Sequence, residues 1–316
     1  MKILITEMIW DEGINELEEL GFEVDYEESL WKERERLLIK VKEYDAVIVR
    51  NQTNVNQELL SAGHKVKVIG RLGVGLDNID LHAAKEKGIK VVFGRHANAT
   101  SVAEYVMAAI LTANRPLYLA DADIRKGGWD RKQYTGEEIY QKTIGLIGMG
   151  EISHRVAKRA KAFGMKVVGY DPFVTEYDHI VSETDVDQLD SLQQLLQISD
   201  VVSLHIPLNS ATKHLISLRE LETMKTRACL INTSRGGIID EEALAYALKN
   251  QLIAQAYLDV LEVEPVSPSN PLLTCKNAVL TPHIAGLTNE SQVRTSRLVA
   301  KEVGKILKGK VSLCNV

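Results

Sequence analysis

Cysteine is scarce in this chain. Cys229, Cys275 and Cys314 are the three it has, and they form no CxxC pair. That leaves no disulfide framework and no paired-thiol site to read. Cys229 lies in an apolar run and is expected to be buried and inert. Charge of one sign is lacking too. A net charge of −5 offers no basic face of the kind that nucleic-acid phosphates require. No apolar stretch reaches the length of a membrane span. Met1-Lys2-Ile3-Leu4-Ile5 enters a strand at once, so no signal peptide is expected. There is no repeat of fixed period and no low-complexity tract. What remains is 45% hydrophobic and 26% charged residues over 316 positions. This is the composition of a soluble protein, expected in the cytoplasm, with two domains and a core that needs neither disulfides nor metals.

Residues 1–99 alternate β-rich runs with helical patterns. The runs are Ile3–Ile5, Phe22–Val24, Ala46–Val49, Val66–Ile69 and Ile89–Val92, with one helix over Asp80–Lys87. Such alternation predicts a parallel sheet covered by helices. Gly21, Gly63 and Gly88 each follow a helical segment and suit a left-handed cap. The spacing of Val102, Tyr105, Val106, Ala109 and Ile110 predicts a long helix over about Ser101–Ala120. Gly127-Gly128 breaks that pattern. A second series follows, with runs at Thr143–Ile147, Lys166–Gly169, Val201–Leu204, Cys229–Ile231, Ile253–Leu258 and Ala278–Leu280. Six runs with intervening helices fit a dinucleotide-binding sheet. A last helix is predicted over about Thr288–Leu307.

Gly148-Met149-Gly150-Glu151-Ile152-Ser153 follows the run Thr143–Ile147 and opens a helical pattern. The glycines permit a tight turn and close approach to a pyrophosphate, and the helix N-terminus offers free N–H groups. Asp171 ends the next run, 21 positions beyond Gly150. An acid there takes the adenosine ribose hydroxyls of NAD and repels the extra phosphate of NADP. Ser153 stands where the fingerprint has a third glycine, and its small size keeps the helix close to the strand.

Three later segments carry the chemistry. They are Asn232-Thr233-Ser234-Arg235-Gly236-Gly237, Leu258-Asp259-Val260-Leu261-Glu262-Val263-Glu264-Pro265 and Thr281-Pro282-His283-Ile284-Ala285-Gly286. Each ends or follows an apolar run, where an open α/β sheet binds ligands. In order they offer a guanidinium, a carboxylate and an imidazole. Reduction of a 2-oxo acid calls for those three groups. The guanidinium clamps the substrate carboxylate, the imidazolium protonates the carbonyl oxygen, and the carboxylate orients the imidazole. No His, Cys or Asp cluster has ligand spacing, so no metal is expected.

These three segments, with the Gly148–Ser153 phrase, resemble the D-isomer-specific 2-hydroxyacid dehydrogenases, and the likeness runs from Met1 to about Val311. The resemblance implies two doubly wound parallel-sheet domains. A Rossmann NAD-binding domain, residues 100–285, is inserted into a flavodoxin-like substrate domain of residues 1–99 and 286–316. The two long helices would connect them, with a cleft between. It implies Arg235, Glu264 and His283 as catalytic residues. It implies Gly148, Gly150, Glu151, Ile152, Asp171, His205, Pro207, Thr212, Thr233 and Asp259 as NAD contacts, with Asp259 near the nicotinamide amide. Glu151 departs from the family, which often has a basic residue there. In the Gly-rich turn Leu72–Asn78, the amides of Val74 and Gly75 would take the substrate carboxylate, as an anion nest does. Asn98 matches a position at the cleft edge, while Thr100 or Ser101 could equally cap the helix, and Glu104 reads as a packing or capping group.

Arg50-Asn51 follows the run Ala46–Val49 at a strand's carboxyl end. The phrase Val49-Arg50 resembles phosphoglycerate dehydrogenases, which use a basic residue there for a distal anion. The expected substrate is therefore a small 2-oxo acid with a polar or anionic tail, such as hydroxypyruvate, its 3-phosphate, glyoxylate or a sulfonated analogue. The family implies a homodimer formed through the cofactor domain. The chain stops soon after its last helix, which implies no C-terminal regulatory domain. Two other readings share these features: a formate dehydrogenase, which needs no general acid, and an NAD-sensing scaffold like the corepressors of this superfamily.

Overall fold

The computed structural model describes residues 1–316. They divide into two compact units, Met1–Asn98 with Leu287–Val316, and Ala99–Gly286. The first unit opens with β1 (Lys2–Ile5), α1 (Asp11–Glu19), β2 (Glu23–Tyr26), α2 (Arg34–Lys40) and β3 (Ala46–Val49). It continues with α3 (Gln57–Ala62), β4 (Val68–Arg71), α4 (Leu81–Glu86) and β5 (Lys90–Phe93). All strand pairs are parallel, in the order β2-β1-β3-β4-β5. The strand order reverses between β1 and β3, which is the switch point of a flavodoxin-like sheet.

The second unit begins with α5 (Ala99–Asn114), α6 (Leu117–Ile124), β6 (Thr143–Ile147), α7 (Glu151–Ala162), β7 (Lys166–Tyr170) and α8 (His179–Thr184). Then come β8 (Asp187–Gln188), α9 (Leu192–Ile198), β9 (Val201–Leu204), α10 (Leu218–Thr223) and β10 (Cys229–Asn232). It closes with α11 (Glu241–Lys249), β11 (Gln255–Leu258) and β12 (Ala278–Leu280). The strands order β12-β11-β10-β9-β6-β7-β8, all parallel. This is the doubly wound dinucleotide-binding order with one strand added at the far edge, and its switch point lies between β6 and β9.

Central strands are buried on both faces, so they read as unbroken apolar runs. All four residues of β3, β9 and β10 are buried. The helices bury one stripe each. In α7 that stripe is Ser153, Val156, Ala157 and Ala160, at the spacing of a helix face. The last helix, α12 (Asn289–Leu307), returns to the first unit and lies on β4 and β5. Thr288 caps it with a reciprocal pair to Ser291. Gly70 makes that contact possible, since a Cβ there would lie 2.8 Å from both Val299 and Val303.

Several expectations change. The long helix over Ser101–Ala120 is two helices, because Pro116 has no N–H to donate and biases Arg115 away from helix. β8 is a seventh strand of two polar residues, too short to show a pattern. Gly63 ends α3 at φ −80°, outside the left-handed region, whereas Gly21 and Gly88 are left-handed at φ 85° and 69°. After α12 the chain adds an antiparallel bridge, Asn315 to Val92, at the open edge of β5.

Candidate active site

The three segments singled out in the sequence follow β10, β11 and β12, neighbours at one end of the second sheet. Their carboxyl ends therefore emerge side by side. Asn232 holds the first turn from both sides: its amide donates to the Arg235 carbonyl at 2.9 Å, and its oxygen accepts from Ser234 N–H at 2.9 Å. The Arg235 guanidinium donates to the Ser234 carbonyl at 2.6 Å. Gly236 lies against the next loop, where a Cβ would come within 1.8 Å of the Leu261 carbonyl. Only glycine permits that approach, and it brings the Arg235 turn against the Glu264 loop.

The Glu264 loop closes on itself, with Leu261 N–H donating to Glu264 Oε1 at 3.0 Å. Behind it the buried Glu241 accepts from Glu262 N–H at 2.7 Å and from the Asn270 amide at 2.6 Å. The other Glu264 oxygen, Oε2, meets His283 Nδ1 at 2.8 Å. Partial burial alone would raise the Glu264 carboxyl. The His283 hydrogen bond, the Leu261 N–H and the charges of His283 and Arg235 outweigh it and bring the group below its ordinary 4.5. Its interaction with His283 is therefore present at neutral and mildly acid pH and is lost only as pH falls through that depressed value. The His283 ring is about half exposed, open to a substrate.

His283 sits at φ 57°, a conformation disfavoured for a residue with a side chain. Asp259 holds it there. This carboxylate is 1% exposed. It accepts from Thr281 Oγ1 at 2.6 Å, Ile284 N–H at 2.8 Å and Ala285 N–H at 2.7 Å. The Asp259 carbonyl takes the His283 N–H at 2.8 Å. Asp259 thus frames the His283 loop, a task the sequence reading did not give it. Tyr105, on α5, extends the network to the Thr281 hydroxyl at 2.6 Å.

On the other side of the sheet's midline, Gly148 turns at φ 88° after β6, and a Cβ there would strike the His205 carbonyl at 2.5 Å. Gly150 is exposed, with nothing within 4 Å of an added Cβ, so the approach to the first turn of α7 is open. Asp171, after β7, accepts from Met149 N–H and Phe173 N–H at 2.9 Å each. Ser153 is fully buried and its hydroxyl donates to the Gly148 carbonyl at 2.5 Å, so the missing third glycine costs the turn no unpaired group. Glu151 is half-buried and accepts from Arg155 at 2.6 Å, which in turn donates to Thr100 at 3.1 Å. A guanidinium therefore lies beside the acid that replaces the family's basic residue. Glu104 is exposed and pairs with Arg159 at 3.4 Å, neither packing nor capping.

The ends of β9 and β10 present polar atoms that lack partners. His205 Nε2 bonds Ser203 Oγ at 2.9 Å, while its buried Nδ1 has no hydrogen bond, nor has the buried Thr233 Oγ1. Burial pushes the His205 imidazole down to about 3. Thr212 donates to the Pro207 carbonyl at 2.6 Å and closes the turn after His205. Open space at Gly150 and orphaned polar atoms at Thr233 and His205 fit a bound dinucleotide. As foreseen, Cys229 is buried, and burial raises its thiol to about 12.

One grouping was invisible in one dimension. Glu151, His154 and His179, from α7 and α8, bring possible ligand atoms within 4.8 Å of one another. Arg155 already occupies Glu151.

In the first unit, Arg50 and Asn51 follow β3, and the Leu72–Asn78 turn follows β4. Asn78 ties the two loops, donating to the carbonyls of Arg50 at 3.2 Å and Thr53 at 2.7 Å. Val74 is exposed on its turn, and Asn98 directly precedes α5, with Thr100 and Ser101 inside the helix. Sequence reading missed Glu7. It is 3% exposed and bonds the loop after β3. Its one sequence signal was its place just beyond the end of β1.

Residues 107–285 match the model of the D-isomer specific 2-hydroxyacid dehydrogenase family, NAD binding domain. The chain belongs to this family. It is 43% identical over 312 residues to the D-3-phosphoglycerate dehydrogenase of Methanocaldococcus jannaschii, covering 99% of this chain and 58% of that protein. It thus spans little more than half the length of the curated phosphoglycerate dehydrogenases of that kind. It is 40% identical over 305 residues to the (S)-sulfolactate dehydrogenase of Chromohalobacter salexigens, covering 96% of this chain and 98% of the other. Among solved structures, a glyoxylate reductase from Paecilomyes thermophila superposes with a TM-score of 0.86 at 33% identity, covering 100% and 98% of the two chains.

The Asp259 network generates a stability prediction. Asp259→Ala leaves the Ile284 and Ala285 N–H groups without their acceptor, at about 1–3 kcal/mol for the buried Ala285 N–H and less for the partly exposed Ile284. Denaturant unfolding should show a lower midpoint, and amide exchange should quicken over residues 281–286. Wild-type exchange in that segment would refute the framing role.

Proposed function

We propose that this chain is an NAD-dependent oxidoreductase that interconverts a small 2-oxo acid and its D-2-hydroxy acid. The observation that carries the reading is the 2.8 Å bond from His283 to Glu264, in a loop packed against the Arg235 turn. A bound nicotinamide coenzyme supplies or takes the hydride at substrate C2. Arg235 holds the substrate carboxylate with a bidentate fork. His283 Nε2, opposite the nitrogen that Glu264 engages, gives the carbonyl oxygen its proton or removes it. Glu264 fixes the tautomer and orientation of the ring. A formate dehydrogenase has no use for this acid, and a scaffold has no use for the set.

The coenzyme would lie on the N-terminus of α7. Backbone N–H groups of Glu151 and Ile152 would face the pyrophosphate, with Gly148 and Gly150 giving it room. Asp171 keeps spare lone pairs for ribose hydroxyls. His205, Pro207, Thr212 and Thr233 line the remaining strand ends, and Asp259 serves the nicotinamide end from beneath, through the His283 loop it frames. In the first unit, Val74 and Gly75 take the substrate carboxylate, Asn98 adds a polar contact, and Arg50 with Asn51 reads a polar or anionic tail. Relatives named for phosphoglycerate, sulfolactate and hydroxypyruvate support that tail. Burial lowers the Arg50 guanidinium, while the nearby charge of Glu7 opposes the effect.

The partner in solution is a second copy of this chain. α6 buries none of its residues, although Leu117, Tyr118 and Leu119 are 67%, 81% and 66% exposed. Trp129 beyond it is 79% exposed. An apolar patch of this kind marks an interface. No helix is long and apolar enough to cross a membrane.

Three measurements test this reading. His283→Ala should lower kcat by roughly 10²–10⁴ with NADH affinity nearly unchanged, and Glu264→Gln should lower kcat by less, through the weakened hold on the ring. Near-normal kcat in His283→Ala sinks the assignment. For the coenzyme, wild-type protein should prefer NADH clearly, and Asp171→Ser should narrow the preference; equal efficiency with NADPH would remove Asp171 from the ribose. For assembly, light scattering should give twice the 35.2 kDa chain mass. Tyr118→Glu should shift it toward one chain, and a monomeric wild type would end the dimer proposal.

A further inference from the structure

The switch point of the first sheet lies between β1 and β3, where this architecture leaves a crevice for ligands. Here the chain fills the crevice itself. Glu7 follows β1, and the loop Arg50–Thr53 follows β3. Glu7 Oε1 accepts from Arg50 N–H and Thr53 N–H at 2.8 Å each. Its Oε2 accepts from Asn51 N–H at 3.1 Å and Gln52 N–H at 2.8 Å. Four successive amides converge on one buried carboxylate. Such a concavity of N–H groups is an anion nest. The Thr6 and Thr53 hydroxyls, 2.8 Å apart, close it from the side, and Asn78 takes the carbonyls of Arg50 and Thr53 from above.

We propose that Glu7 is a positioning residue for substrate selection: it occupies the loop's own anion nest and so aims Arg50 at the tail of the substrate. The inference rests on the reading of Arg50 given above. It has a chemical consequence. With all four amides bonded to Glu7, the loop presents side chains to a ligand, the Arg50 guanidinium beside the Asn51 amide, in place of a nest. A tail phosphate or sulfonate is then read by a side chain whose backbone is fixed at both its N–H and its carbonyl. Without Glu7, the nest would bond water or compete for the tail anion, and Arg50 would lose its fixed origin.

Glutamine cannot replace this carboxylate. Whichever way its amide turns, the NH₂ faces two N–H donors. Glu7→Gln should therefore raise KM for hydroxypyruvate, its 3-phosphate and 3-sulfopyruvate by about tenfold or more, the scale of losing hydrogen bonds to a charged group. Its kcat should change little. Glyoxylate has no tail, so its kcat/KM should stay within about twofold, as should NADH affinity. Glu7→Ala leaves the nest empty, and added formate or acetate should raise its Tm and restore KM in a saturable manner. The same anions should do neither to wild type. That rescue also carries the comparison if Glu7→Gln does not fold. Arg50→Ala is the control. If it penalises tailed substrates no more than glyoxylate, the tail reading falls and this inference with it. If it discriminates while Glu7→Gln matches wild type, or Glu7→Gln penalises glyoxylate as much, only the role of Glu7 falls. Absence of rescue by formate or acetate overturns the occupied nest.

Discussion

A buried carboxylate that accepts backbone N–H groups is the interaction on which strand-end loops of both units depend. Loops at strand ends must leave the regular hydrogen-bond ladder, and their amides then need another acceptor. Asp259 supplies it for the loop that carries His283. The alternative for Ala285 is a buried unpaired donor, which is worse than the left-handed backbone His283 is made to adopt. A side chain in that conformation persists only where its surroundings over-determine it. The two Asp259 oxygens, the Asp259 carbonyl and the Thr281 hydroxyl do so together.

This division of labour keeps two acids apart in role. Asp259 is sealed and bonded to backbone, so it sets where the imidazole stands. Glu264 is about two-fifths exposed and bonded to the ring, so it responds to the ring's charge. Gly236 adds the last constraint. It lets the Arg235 turn lie against the Leu261 carbonyl, so the cation and the acid share one rigid contact instead of two independent loops.

The strands were legible because both faces of a parallel sheet are covered. Ala46–Val49 and Val201–Leu204 have no polar face to blur the pattern. β8 was not, since Asp187–Gln188 at the sheet's edge carries no apolar signal. The break between α5 and α6 lies at Arg115-Pro116, whereas the apolar spacing of the preceding turns alone predicts a single helix. Motif residues such as Arg235, Glu264 and His283 could be named because their neighbours are distinctive. What they touch could not, because contacts between loops depend on strand order. Glu104 shows the limit in the other direction: its place in a helix said nothing of the face it would occupy.

Glu151 and Ser153 show how a departure from a family pattern is absorbed locally. Ser153 takes a glycine's place because its hydroxyl finds the Gly148 carbonyl within its own turn, so burying it leaves nothing unpaired. Glu151 puts a negative charge on a helix N-terminus, a favourable place for the helix but an unfavourable one for an approaching pyrophosphate. One turn later on the same face, Arg155 neutralises it. The pair leaves the N-terminal amides as the main attraction for a phosphate. A turn that relies on backbone N–H groups is least tolerant of change at its glycines, and Gly148, with the His205 carbonyl 2.5 Å from any added Cβ, has no room for one.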